Sequence, residues 1–116
     1  MPFENSFVED VLDRFGTITA ATSRKMFGGY GIFHEGIMFA LIADNELYLK
    51  VDAQSQHYFE TISLPPFSYH RKQGKTFKMS YYLAPGEFFE DPEESGIWTQ
   101  RSLDAAHRAA PTTKKK

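Results

Sequence analysis

The sequence predicts a single two-layer α+β domain, and three observations carry that prediction. Apolar residues recur at helical spacing near the N-terminus, short β-rich runs separated by turn residues fill the middle, and a helix-start signature opens the last quarter. The 116 residues are 41% apolar and 24% charged, an ordinary globular composition that excludes disorder, collagen and coiled coil. A chain of this size buries roughly two thirds of its unfolded surface, so one core suffices without a metal or disulfide staple. Cysteine is absent, which removes disulfides, thiolate metal sites and cysteine nucleophiles and accords with a reducing compartment. The acidic start MPFENSFVEDVLDRF lacks the basic opening and unbroken apolar run of a signal peptide. No stretch nears the ~18 consecutive apolar residues of a membrane span. A cytoplasmic protein is expected, with one domain over residues 1–110 and a short basic tail over 111–116.

Phe7, Val8, Val11, Leu12 and Phe15 share one face of a first helix; Ser6 and Glu9 fit a capping box at its start, and Gly16 suits a left-handed cap at its end. From Lys25 the pattern becomes that of strands. MFGGYGIF, IMFALIA and ELYLKV, joined by turns at His34-Glu35-Gly36 and Asp44-Asn45, predict a three-stranded meander. Gly28 and Gly29 in its first strand predict a bulge or a close backbone approach. Asp52 caps a short helix over AQSQHYFETI, which Leu64-Pro65-Pro66 ends because proline cannot continue a helix and restricts its predecessor. A second hairpin follows. With Gln73-Gly74-Lys75 as its loop, Phe67, Tyr69, Phe77, Met79 and Tyr81 share one side, expected to be the core side, and His70, Lys72, Lys78 and Tyr82 share the other. Asp91-Pro92-Glu93-Glu94 then opens a last helix bearing Trp98, Leu103, Ala105 and Ala106, ending before Pro111.

Pairing Ala43 with Glu46 places Met38, Ala40, Ile42, Leu47, Leu49 and Val51 on the core face of the meander. The opposite face carries Ile37, Phe39, Leu41 and Tyr48, joined by Tyr30 and Ile32 if His34 pairs with Ile37. That face is more apolar than a solvated one needs to be. Either a terminal helix covers it or it is an interface, for a protein partner or for a second copy in a homodimer. Tyr30, Ile32, Ile37, Phe39, Leu41 and Tyr48 are therefore the candidate partner-binding residues, and Phe39→Asp is the change expected to break the contact.

Signals for catalysis are weak. Gly74-Lys75-Thr76 ends like a phosphate loop, but Tyr69 stands where the first glycine is required and no strand-to-helix switch occurs there. Gly29-Tyr30-Gly31 is a fragment of a dinucleotide fingerprint whose third glycine is replaced by His34. His34, His57, His70 and His107 form no ligand-spaced pair, and no serine sits in a nucleophile elbow. The acidic groups Glu9-Asp10-Asp13 and Asp91-Glu93-Glu94 fit helix N-termini and solvated faces. No catalytic residue, metal or cofactor is assigned. Charge is uneven: residues 1–66 hold four Lys/Arg against nine Asp/Glu, whereas residues 67–90 hold four against two. The second hairpin interleaves cations and rings, so His70, Lys72, Lys78 and Tyr82 form an alternative, nucleic-acid-binding set. The overall pI near 6.1 argues for a weak binder at most.

The run RKMFGGYGIFHEGIMFALIADNELYLKVD, then PFSYHRKQGKTFKMSYYLAPGEFFEDPEE and a Trp-containing helix, resembles the N-terminal domain of the TfoX/Sxy family of bacterial competence regulators over about Phe7 to Ala110. The most specific pieces are Met26-Phe27-Gly28-Gly29-Tyr30-Gly31, Leu47-Tyr48-Leu49-Lys50-Val51-Asp52 and Met79-Ser80-Tyr81-Tyr82. The resemblance implies a secretion-chaperone-like α-β(3)-α-β(2)-α fold with a five-stranded antiparallel sheet. It also implies a non-enzymatic regulatory module that modulates transcription or natural competence through protein contacts, with a transcription regulator such as the cyclic-AMP receptor protein as partner. Longer members carry a second, C-terminal domain, and this chain is expected to hold the first alone.

Overall fold

The computed structural model describes residues 3–26, 29–70 and 76–109; within these, the side chains of 3–5, 26, 68–70 and 76–79 are left undescribed. Helix α1 (Phe3–Gly16) leads into four strands, β1 (Thr22–Met26), β2 (Gly29–His34), β3 (Ile37–Ala43) and β4 (Glu46–Lys50). After α2 (Gln56–Glu60) come β5 (Pro66–His70), β6 (Thr76–Leu83), α3 (Glu87–Glu90) and α4 (Pro92–Ala109). The strands form one antiparallel sheet in the order β1-β2-β3-β4-β6-β5. The fold is α+β, as the element pattern predicts, with six strands rather than five. The sixth arises because the run from Lys25, expected as one strand, belongs to two: β1 ends at Met26 and β2 begins at Gly29.

Two tight turns fix the meander. Asp44 and Asn45 have φ of 53° and 61°, Glu35 and Gly36 of 51° and 81°, the paired positive values whose twist matches antiparallel strands. Ala43 therefore pairs with Glu46 and His34 with Ile37. Between Ile32 and Phe33 the register slips by one. On the far side of that bulge Ile32 lies opposite Ala40 and Tyr30 opposite Ile42, while Phe39 has no partner in the ladder.

The described helices cover one face of this sheet. Val8, Val11 and Phe15 of α1 and Trp98, Leu103 and Ala106 of α4 join Ile32, Phe39, Ala40, Ile42, Leu47, Leu49 and Val51 in one buried cluster. Phe15 meets Phe39 edge-on at 4.9 Å and Phe88 at 5.5 Å, and Phe59 of α2 meets Trp98 at 4.8 Å. Ser102 ties α4 to the sheet: its hydroxyl donates to the Phe39 carbonyl and accepts the Lys50 amide at 2.9 Å. At the end of β4, Asp52 accepts hydrogen bonds from the amides of Gln54 and Ser55 and a two-point contact from Arg108 of α4 at 2.6 and 3.0 Å. Asp91 caps α4 by accepting from the Glu93 amide at 2.9 Å.

Several local expectations are corrected. Helix α1 begins at Phe3, so Ser6 and Glu9 lie inside it, and Gly16 ends it without a left-handed φ. Helix α3 was not anticipated; four residues carry too little periodicity to register. In the second hairpin Thr76 pairs with His70 rather than Lys72, so residues 71–75, including Lys72 and the expected Gln73-Gly74-Lys75 loop, connect the strands and lie outside the described residues. A shift of two leaves the alternation unchanged, so Phe67 and Tyr81 still share a side. What reverses is the polarity of the hairpin. Tyr81 pairs with Lys50, and Tyr82 with Leu49, which is in the core. Tyr82 therefore faces the helices and Tyr81 faces away. A hairpin's internal register decides which side chains share a side; the pairing of β6 with the distant β4 decides which side meets the helices.

Candidate interaction face

The sheet's second face is crossed by a row of directly opposed residues on five strands: Arg24, Gly31, Leu41, Tyr48 and Leu83. Flanking it on the same face, by ladder partnership, are Phe33 with Met38 and Lys50 with Tyr81 toward one end, and Ala43 with Glu46 toward the other. No described helix lies among the partners of these side chains. Leu41 is 5% and Tyr81 6% exposed, yet neither belongs to the helix-side cluster. Phe67 of β5 meets Tyr48 edge-on at 5.0 Å. The Arg24 guanidinium lies 4.7 Å from the Phe33 ring centre, and the Lys50 ammonium 5.2 Å from that of Tyr81.

Electrostatics follow from this semi-dry setting. Burial pushes the Tyr81 hydroxyl up to about 12. Burial also raises Tyr48, with the nearby charges of Glu46 and Asp44 adding to the effect. Lys50 is lowered by burial, opposed by the charge of Asp52, and its ammonium donates to the Ser80 hydroxyl at 2.8 Å. The face is thus an apolar centre of aromatic and aliphatic side chains with Arg24, Glu46 and Lys50 at its margins. That composition suits contact with another protein: aromatic anchors in the middle, charge at the rim.

Of the six candidate residues, the structure keeps two on this face, Leu41 and Tyr48. Ile32 and Phe39 are fully buried under the helices, and Tyr30 and Ile37 pack half-buried against the same cluster. The bulge is the reason. By inserting Phe39 as an extra residue it turns Phe39 and Ala40 both inward and carries Tyr30 and Ile32 across with them. The same slip moves Met38, expected in the core, to the second face as the partner of Phe33. Phe33, Met38, Phe67, Tyr81 and Leu83 are the face residues that the sequence reading did not assign to it. In the second hairpin, Phe67 and Tyr81 carry a usable signal, but they face away from the helices rather than inward.

Of the alternative set, only the Tyr82 side chain falls among the described residues. Tyr82 packs beside Phe59 at 5.6 Å under the helices and its hydroxyl donates to Glu60 at 2.9 Å. That bond and burial raise its pKa, burial first. His70 and Lys78 occupy β5 and β6, but their side chains, and Lys72 entirely, lie outside the described residues. Elsewhere, an open groove of about 420 Å³ between α1 and α3 is lined by Asp10, Asp13, Arg14, Thr17 and Phe89, with Arg14 engaged by the Phe89 carbonyl. Among the described residues no three His, Asp or Glu converge as metal ligands, and no helix is long and apolar enough to cross a membrane.

The family model of the TfoX N-terminal domain matches residues 10–106. The chain is 29% identical over 105 residues to Protein Sxy of Escherichia coli (strain K12), covering 90% of this chain and 48% of that protein. It is 34% identical over 67 residues to the DNA transformation protein TfoX1 of Aliivibrio fischeri, covering 58% of this chain and 31% of that protein. The chain therefore spans about half the length, or less, of these curated relatives.

Proposed function

We propose that this chain, which belongs to the TfoX N-terminal domain family, is a non-enzymatic regulator related to natural competence that works by protein contact through the helix-free face of its sheet. The single observation that carries the protein-contact reading is that row of Leu41, Tyr48 and Leu83, apolar and without a helix over it among the described residues. The competence reading draws on the relatives, one of which is named a DNA transformation protein. Fold alone does not specify such a role; the family match and the face support it jointly.

The direct test is genetic and uses the surface residue Tyr48. In the source bacterium, the gene is deleted and restored as wild type or Tyr48→Asp, and transcripts of DNA-uptake genes and transformation frequency are measured. The proposal expects wild type to restore both and the folded Tyr48→Asp protein to restore neither. Unchanged transcripts and transformation on deletion and overexpression would retire the competence reading, and full complementation by Tyr48→Asp would retire the face.

A further inference from the structure

We infer that the occupant of the helix-free face is a second copy of this chain, packed antiparallel about a two-fold axis that runs along the row Arg24, Gly31, Leu41, Tyr48 and Leu83. The inference rests on the protein-contact reading above and names the partner for it. Two sheets stack face to face about 10 Å apart. An isologous contact requires the face to complement itself. Of the two in-plane axes through Tyr48, one along β4 and one across it, only the second pairs the opposite charges of β4.

Glu46 and Lys50 lie on β4 two residues to either side of Tyr48, and both share its face because side chains alternate along a strand. An axis along the strand would set Glu46 on Glu46 and Lys50 on Lys50. An axis across the strands, through Tyr48 and its ladder partners, sets each Glu46 on the other copy's Lys50, twice per dimer. The shapes agree with the charges. On the Glu46 side of the row stands the small Ala43, its direct partner, and beyond it Gly29, which has no side chain; on the Lys50 side stand Met38 and Phe33. The same rotation lays each bulky pair over the small pair of the other copy, while Tyr48, more exposed than the buried Leu41 beside it, meets its own counterpart at the centre. Lys50, half-buried against Tyr81 and Ser80, would gain an opposing carboxylate close to its ammonium. An axis along β4 opposes like charges at both Glu46 and Lys50, whereas the axis along the row opposes only the exposed Arg24 at the β1 edge, so the β4 charges favour the row axis.

The test is sedimentation equilibrium of the full chain, with circular dichroism confirming that each variant is folded. Wild type is expected to dimerise with a dissociation constant in the micromolar range, on the order of 1–10 µM. Glu46→Lys alone and Lys50→Glu alone place like charges opposite one another at both symmetric contacts and should each weaken the dimer by about tenfold or more. The double exchange Glu46→Lys/Lys50→Glu recreates the pairs with reversed sign and should restore wild-type affinity. A wild type that stays monomeric to about 100 µM, single variants that dimerise as wild type does, or a double variant no better than the singles would each overturn the inference. If wild type is monomeric while Tyr48→Asp still fails to complement, the second copy is wrong and the protein-contact reading stands. If the charge exchange behaves as expected while Tyr48→Asp complements in full, the dimer stands and the functional reading falls.

Discussion

The two faces of this sheet are built from the same kinds of residue on the same strands, yet they have different fates. On β3, Phe39, Ala40 and Ile42 are sealed beneath α1 and α4; Leu41, between them, points the other way and is buried outside that cluster, between Gly31 and Tyr48 in the sheet. The first face is held by long-range ties such as the Ser102 hydroxyl between the Phe39 carbonyl and the Lys50 amide. The second has ring and cation contacts that a partner could exchange or extend. Hydrophobicity alone therefore does not distinguish a core from an interface. The distinction lies in what the helices reach.

Substitutions can break that contrast or sharpen it. The largest effect should come from Phe39→Asp. Truncating a buried Phe already costs about 3–5 kcal/mol, and a carboxylate placed there adds an unpaired charge, so loss of the cooperative urea transition is expected. Tyr48→Asp, on the face of the sheet turned away from the helices, should keep that transition with a loss of about 1 kcal/mol. Gly29→Ala comes next. A Cβ there would collide with the carbonyl of Ile42 across the β2–β3 ladder, and relief requires the strands to part. A loss of about 2–3 kcal/mol in urea denaturation is expected.

Ser102→Ala should cost about 1–2 kcal/mol in the same measurement, because it leaves a buried carbonyl on β3 and an amide on β4 without their partner. The smallest effect is one of pH. Asp52 is held down from 3.8 to about 2, chiefly by the Arg108 hydrogen bonds, with those from Ser55 adding and burial opposing. A carboxyl depressed in the folded state contributes stability that is present above its unfolded value and lost as pH falls through its folded one. Wild type should therefore lose stability between about pH 4 and pH 2 more steeply than Asp52→Asn, by a modest amount because the pair lies near solvent. Thermal unfolding across that pH range reads the difference.

Much of the fold was legible because the punctuation was local. Asp44-Asn45 and Glu35-Gly36 announce two-residue turns, and they set the Ala43–Glu46 and His34–Ile37 pairs as expected. Asp91-Pro92 opens α4 as expected, whereas α2 starts after Ser55 rather than at Asp52 and ends at Glu60, before Leu64-Pro65-Pro66 is reached. The face assignment was only partly legible. IMFALIA is apolar throughout, so it has no alternation with which to mark the bulge, and one inserted residue exchanges the sides of everything beyond it. The second hairpin failed differently: Phe67 and Tyr81 do share a side, but which side meets the helices depends on β6 pairing with β4, about 30 residues earlier in sequence. Local pattern carries no information about that pairing. The idea of an unpartnered apolar face thus survives with a changed membership, centred on Leu41 and Tyr48.

Because the chain contains no cysteine, single cysteines report on the two faces without background. Phe39→Cys and Tyr48→Cys, labelled with a thiol reagent under native conditions, test the division most directly. The account predicts fast labelling at position 48, slowing as protein concentration rises, and labelling at position 39 only at the rate of unfolding, accelerated by urea. Equal, rapid labelling at both positions would contradict it, because Phe39 would then lie on the open face and the bulge would not turn it inward.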